Sequence, residues 1–343
     1  MDDLAQQTYR DLSRSSIRLA DIEPMIAGQG ERNTFVGSFK RLLKVLGADL
    51  PYWHLMGVCG AAFRLQVHCN SWRMVSTDIT SGFDLAGGLF SAFGLVCERH
   101  WVCGDPRRMK ALRNRIIANL DNGIPTIGLG LTGEPEYGLV IGSSNRSILL
   151  AVDYALPNTS HAVNEDVVWC YFIITERREP LPAGARLLRG FELARTLVTS
   201  PRAHSFHLGL DAYDYWYSTL VNPEHHKPLS DDWRTRERNE GNYRILVTLI
   251  DARESAARFC EEAAAACPRA TDACTALAAC YRQMVGMMSP LIDRRVVRPA
   301  AQINPAQPWT MHDRRKQARL LMEVREIEAR TVPLLDAVAA LLR

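Results

Sequence analysis

The sequence has no Cys-x2-Cys pair, no long uninterrupted apolar run, no marked excess of charge of either sign, and no histidine between positions 101 and 160. Each absence excludes something. Structural zinc sites favour close cysteine pairs, so Cys97, His100 and Cys103, and the tail cysteines Cys260, Cys267, Cys274 and Cys280, are expected to be packed side chains rather than ligands. Cys260 and Cys267 would stand about 10 Å apart along a helix, too far to share one ion unaided. No metal and no cofactor is expected. Apolar runs broken by charge leave no segment to cross a bilayer as a helix. The opening string MDDLAQQTYRDLSRSS is polar and partly acidic, so no secretory signal is expected. The nine cysteines are then read as thiols in a cytoplasmic protein. With 41 basic and 38 acidic residues the net charge is +3, which implies neither nucleic acid nor a membrane surface as partner.

What is present is ordinary globular composition, 47% hydrophobic and 23% charged over 343 residues, a length that suits two domains. The spacing of TFVGSFKRLLKVLG (34–47) predicts an amphipathic helix stopped by Gly47. PRRMKALRNRIIANLDNG (106–123) predicts another, with Pro106 in its first turn. Between them a helix is predicted to begin near Cys59, and DLAGGLFSAFG (84–94) suggests a further one. Four apolar runs, PTIGLGL, EYGLVIGSS, SILLAVDYA and VVWCYFIIT, are separated by turn residues and predict antiparallel strands. Helices first and sheet afterwards is an α+β pattern. The tail predicts at least four helices, over 185–198, 210–221, 242–267 and most of 312–342, with a Pro-rich loop at 293–310.

The chemistry-bearing strings are few. GVCGAAF (57–63) sets a thiol among small residues. At a helix N-terminus the free N–H groups and the dipole would stabilise a thiolate, and the Cys59 N–H would help to bind an oxyanion. Cysteine in an apolar helix is also commonly inert. The string EPEYGLVIGSSNRSILLAVDYA (134–155) offers Glu136 and Tyr137 at the head of one strand and Asp153 at the end of the next. His54, His68 and His161 are read as structural or exposed, because a base must first reach its proton. GLGLTG (128–133) matches a dinucleotide fingerprint in form. Glu134-Pro135-Glu136 follows where a helix should start, so it is read as a hairpin-like turn. Tyr213, Trp216 and Tyr217 share a helical face that favours core contacts, and His225-His226 lies in a polar, solvated loop.

The helix–Cys–strand order and the string PEYGLVIGSS resemble bacterial proteins related to the N-terminal domain of the butirosin biosynthesis acyltransferase, in the papain-like (C39-peptidase-like) superfamily. LDAYDYWYSTLV and LIDARESAARFCEEAA are similar to the helical half of such proteins. The resemblance implies an N-terminal helical extension (1–30), a papain-like α+β domain with an antiparallel sheet (31–180) and an all-helical domain (181–343). It implies Cys59 as an acyl-accepting nucleophile and Asp153 as the residue that orients a base. The family's histidine position holds Glu136-Tyr137, which leaves those two as proton handlers. The expected activity is cysteine-dependent acyl transfer or amide/thioester hydrolysis in small-molecule or peptide natural-product biosynthesis. Its substrate would be a small molecule or an acyl group on a carrier, and the helical half would make a homodimer or cover a cleft. The alternative is an inactive papain-like binding or scaffold protein that has lost its base.

Overall fold

The computed structural model describes residues 16–19, 22–26, 30–69, 72, 74–102, 105–156, 159–226, 232–303 and 309–343. The expected extension over 1–15 and the residue Cys103 lie outside them. The chain forms α+β structure divided into two compact units. One comprises residues 1–52 and 93–180, the other residues 53–92 and 181–343. The expected domain 31–180 is therefore interrupted, because 53–92 folds with the tail.

In the first unit the sheet is antiparallel throughout. Its order is β3 (Leu95–Trp101), β8 (Cys170–Arg177), β4 (Thr126–Leu129), β5 (Tyr137–Ser144), β6 (Ile148–Asp153) and β7 (His161–Ala162). The short strand β1 (Ser16–Arg18) pairs with the far end of β5, where the sequence pointed to a helical extension. Helix α1 (Thr34–Val45) forms because Asn33 caps it, its side chain accepting the Val36 N–H at 3.1 Å, and because Phe35, Val36, Phe39, Leu42 and Leu43 fall on one buried face. Phe35 meets Tyr137 and Phe172 edge-on, at 5.1 and 5.2 Å, so α1 covers one face of the sheet.

A second long helix covers the other face. Asp105 caps it and Pro106 opens it, and it runs over Pro106–Asp121. Its Met109, Leu112, Ile116, Ile117 and Leu120 are buried with Val140, Leu149, Ala151, Tyr171 and Ile173 of the strands. Each such aliphatic side chain contributes about 1.5–3 kcal/mol on burial.

The second unit begins with α2 (Tyr52–Val58, from Trp53 onward) and α3 (Ala86–Ala92), so Pro106–Asp121 is α4 in chain order. Five long helices follow: α5 (Ala183–Thr199), α6 (Gly209–Val221), α7 (Asp232–Ala266), α8 (Thr271–Asp293) and α9 (Met311–Leu342). The unit is not all-helical. Its small sheet orders β2 (Gln66–His68), β10 (Phe206–Leu208) and β9 (Arg202–Ala203), and this pairing is one of the contacts that bind segment 53–92 to the tail. Phe63, Phe191, Phe259 and Tyr281 form an aromatic core, and a separate polar layer lies further toward the N-terminus of α7. In that layer Trp216 Nε1 donates to Asn242 Oδ1 at 2.8 Å, and Asn242 and Gln317 exchange amide hydrogen bonds. Tyr213 and Trp216 are buried, whereas Tyr217 is 36% exposed.

Candidate functional site

Cys59 sits at the end of a helix, not at its start. The Cys59 N–H donates to the Leu55 carbonyl at 3.0 Å, closing the last turn of α2, and the Gly60 N–H donates to Gly57. Gly60 takes φ +83°, a left-handed conformation that ends the helix. Its small size also matters, since a Cβ there would lie 3.0 Å from Leu197 Cδ1 and 3.2 Å from Leu193 Cβ. The expected oxyanion donor is thus already used, and Cys59 closes the C-terminal end of α2, the end whose dipole disfavours an anion, just before a single 3-10 turn over Ala61–Phe63. The thiol is 1% exposed and its Sγ donates to the Met56 carbonyl at 3.5 Å. Burial pushes the Cys59 thiol up to about 12, against the smaller lowering pull of the Ala61 amide and of Arg64.

Glu136, Tyr137 and Asp153 belong to the first unit, and Cys59 to the second. Tyr137 and Asp153 do not converge either. Asp153 is the cross-strand partner of Gly138, and successive side chains on a strand alternate, so Asp153 projects from the face opposite to Tyr137. Tyr137 is buried against Phe35 on the α1 face, and its N–H donates to Thr34 Oγ1 at 3.2 Å. Glu136 ends the preceding loop, where its carbonyl accepts the Gly130 N–H at 3.1 Å.

Asp153 is 1% exposed. Its Oδ1 accepts the N–H groups of Ala155 and Leu156 at 3.0 and 2.9 Å. His161 Nε2 lies 3.4 Å from Oδ2, an electrostatic contact without hydrogen-bond alignment. Burial works to raise the Asp153 pKa, but His161 and the two amides outweigh it and hold the carboxyl below 3.8. This histidine is the one that the sequence placed after the Asp153 strand. The other two are engaged as well: His54 Nδ1 lies 2.8 Å from Glu262, and His68 meets Phe206 edge-on at 5.1 Å.

GLGLTG forms the turn between antiparallel β4 and β5. Gly130 (φ +74°) lies under the Trp169 ring and Gly133 (φ +97°) against Val167, so the glycines serve a tight turn and close side-chain approach. Among the described residues no group of three or more His, Cys, Asp or Glu side chains is placed to hold a metal ion.

Two histidine sites depart from the sequence reading. His225 and His226 are half-buried rather than fully solvated. Both rings lie against Trp72, at 5.1 and 5.4 Å, and burial pushes their pKa values down to about 4 and about 3. His207 escapes the sequence reading altogether. Its Nδ1 is 2.5 Å from Asp211 Oδ2, its ring stacks on Tyr215 at 3.9 Å, and Arg202 stands 3.6 Å from the same carboxylate. Burial lowers the His207 pKa, Asp211 pulls it back up, and Arg202 lowers it again. The available signal was the His-x-x-x-Asp spacing across a strand–helix corner.

No protein-family model matches the chain, and no curated protein matches it in sequence.

Proposed function

We propose that this protein is a binding or scaffold protein of papain-like layout in which Cys59 does no covalent chemistry. The observation that carries this reading is the state of Cys59: buried, with its amide bonded to Leu55 and its thiol pushed up to about 12. Since the thiolate is the nucleophile, a thiol held this far above its ordinary value stays protonated at neutral pH.

The papain-like part draws support from the first unit. There a helix N-terminus, at Asn33 and Thr34, abuts the start of β5, and β6 returns beside β5 to end at Asp153. In that layout Thr34 and Tyr137 meet at the head of β5 while the Asp153 carboxyl lies on the opposite face of the sheet, so the sulfur and base of thiol–imidazole catalysis do not come together there. A chain that keeps the layout without those groups keeps a surface and loses the reaction.

The test is the rate at which iodoacetamide alkylates Cys59 near neutral pH, followed by peptide mass spectrometry. In the folded protein Cys59 is expected to react at least a hundredfold more slowly than in the denatured chain. A folded-state rate equal to or above the denatured one overturns the reading. It restores cysteine-dependent acyl transfer or hydrolysis, with Cys59 accepting the acyl group, as the better account.

A further inference from the structure

The helical unit holds a cleft of about 600 Å³ lined by Tyr217, Val221, Met311, His312, Arg315 and Arg319. Small-molecule sites span roughly 300–1,000 Å³. Tyr217 and Val221 are four residues apart on α6. His312, Arg315 and Arg319 follow one another at three and four on α9, so each set shares a helix face. The two helices run antiparallel, fastened further along by Arg325 to Asp214 at 2.7 Å and by Tyr213 to Glu328 at 3.1 Å. The cleft lies where the C-terminal turn of α6 meets the first turns of α9. One wall is aromatic and aliphatic, and the other is cationic.

The charge on that wall is unusual for its position. The first turns of α9 carry His312, Arg314, Arg315, Lys316 and Arg319 against a single carboxylate, Asp313. Asp313 is already engaged in the capping box with Thr310. Cations at a helix N-terminus oppose the dipole, which costs stability rather than adding it. Arg314 has a ring to lie over, that of Trp309 at 5.9 Å. Arg315 and Arg319 are exposed and form no ion pair among the described residues. The one bond between them is from Arg319 Nε to the Arg315 carbonyl, at 3.4 Å. Locally unfavourable charge with no ion-pair partner among the described residues, set beside an apolar wall, is the arrangement expected of a binding site.

We propose that this cleft binds an amphipathic oxyanion, a carboxylate or phosphate group carried on an aromatic or aliphatic body. The guanidinium forks of Arg315 and Arg319 take the oxyanion, for which planar donors are suited. Tyr217, Val221 and Met311 take the body. The site lies on α6 and α9 and does not depend on the state of Cys59.

The test is fluorescence titration of the full chain with 1-naphthyl phosphate and with 1-naphthoate. At least one of them is expected to saturate a single site, and which one does so tells phosphate from carboxylate. The double variant Arg315→Gln/Arg319→Gln is expected to weaken that binding at least tenfold, and Tyr217→Ala to weaken it severalfold. The thermal midpoint should hold in both, since all three side chains are exposed. Arg108→Gln, on α4 of the other unit, should change nothing. Uncharged 1-naphthol should fail to compete. Absence of saturable binding, undiminished binding in the double variant, or equal competition by naphthol overturns the proposal. Cys59 alkylation reads a different group, so failure of one test leaves the other standing.

Discussion

Arg253 on α7 and Glu328 on α9 form a salt bridge of 2.7 Å with both side chains shut off from solvent, at 1% and 0% exposure. Arg253 also donates to the Ala62 carbonyl at 2.9 Å, and Tyr213 donates to Glu328. One ion pair thus ties two helices to the turn that follows Cys59 and to α6. Glu328→Leu leaves a buried guanidinium uncompensated and is expected to cost about 3–5 kcal/mol. Arg253→Met combined with Glu328→Leu should recover most of that loss, because apolar replacement of both partners is often neutral. Urea unfolding of the three proteins measures it. A double variant no more stable than Glu328→Leu would show that the two charges are not coupled.

Gly37 and Gly286 both lie inside helices, α1 and α8, and should respond oppositely to alanine. A Cβ at Gly286 meets nothing within 4 Å, so Gly286→Ala should stabilise by about 0.5–1 kcal/mol through helix propensity. A Cβ at Gly37 would fall 1.8 Å from the Tyr154 hydroxyl, which donates to Glu31 at 2.8 Å beside Arg41. Gly37→Ala should therefore destabilise by about 1–3 kcal/mol. Thermal midpoints decide it, and two shifts of the same sign would contradict the close approach of Tyr154 to α1.

Asp153 makes stability depend on pH in a defined direction. Its folded-state pKa is held below the ordinary 3.8, so its contribution is present above that value and is lost as pH falls through the folded pKa. Asp153→Asn should cost about 1.5–3 kcal/mol near neutral pH, as for hydrogen bonds to a charged acceptor. The gap between the variant and the parent should then narrow in acid. Denaturation midpoints collected from neutral to acid pH read this, and a gap independent of pH would mean that the carboxylate charge is not what the Ala155 and Leu156 amides hold.

Much of the fold was legible because local rules and tertiary structure agree. Asn33 and Asp105 cap the helices that the apolar spacing predicts, and the four strand-forming runs are the central strands of the sheet. Other parts were legible only in principle. Helix α8, which lies outside the four tail helices predicted from sequence, buries Cys274, Leu277, Tyr281, Met284, Met288 and Leu291 at alternating spacings of three and four, a helical period. Strand β3, written Leu-Val-Cys-Glu-Arg-His-Trp, is a charged edge strand with little of the apolar alternation that marks central ones.

The candidate site was less legible. The string around Cys59 is apolar on both sides, and composition does not say on which side of the cysteine the helix lies. Gly60 at φ +83° decides that, and Leu193 and Leu197 of α5 stand where a larger side chain at that position would reach.

By itself, then, the sequence determined the α+β class, the helices around 34–47 and 106–123 and the existence of the four central strands, because caps, periods and turns act over a few residues. Only the tertiary structure decided what Cys59 is. Its depth, its spent amide, and its place in a unit apart from Glu136, Tyr137 and Asp153 depend on contacts between residues far apart in the chain.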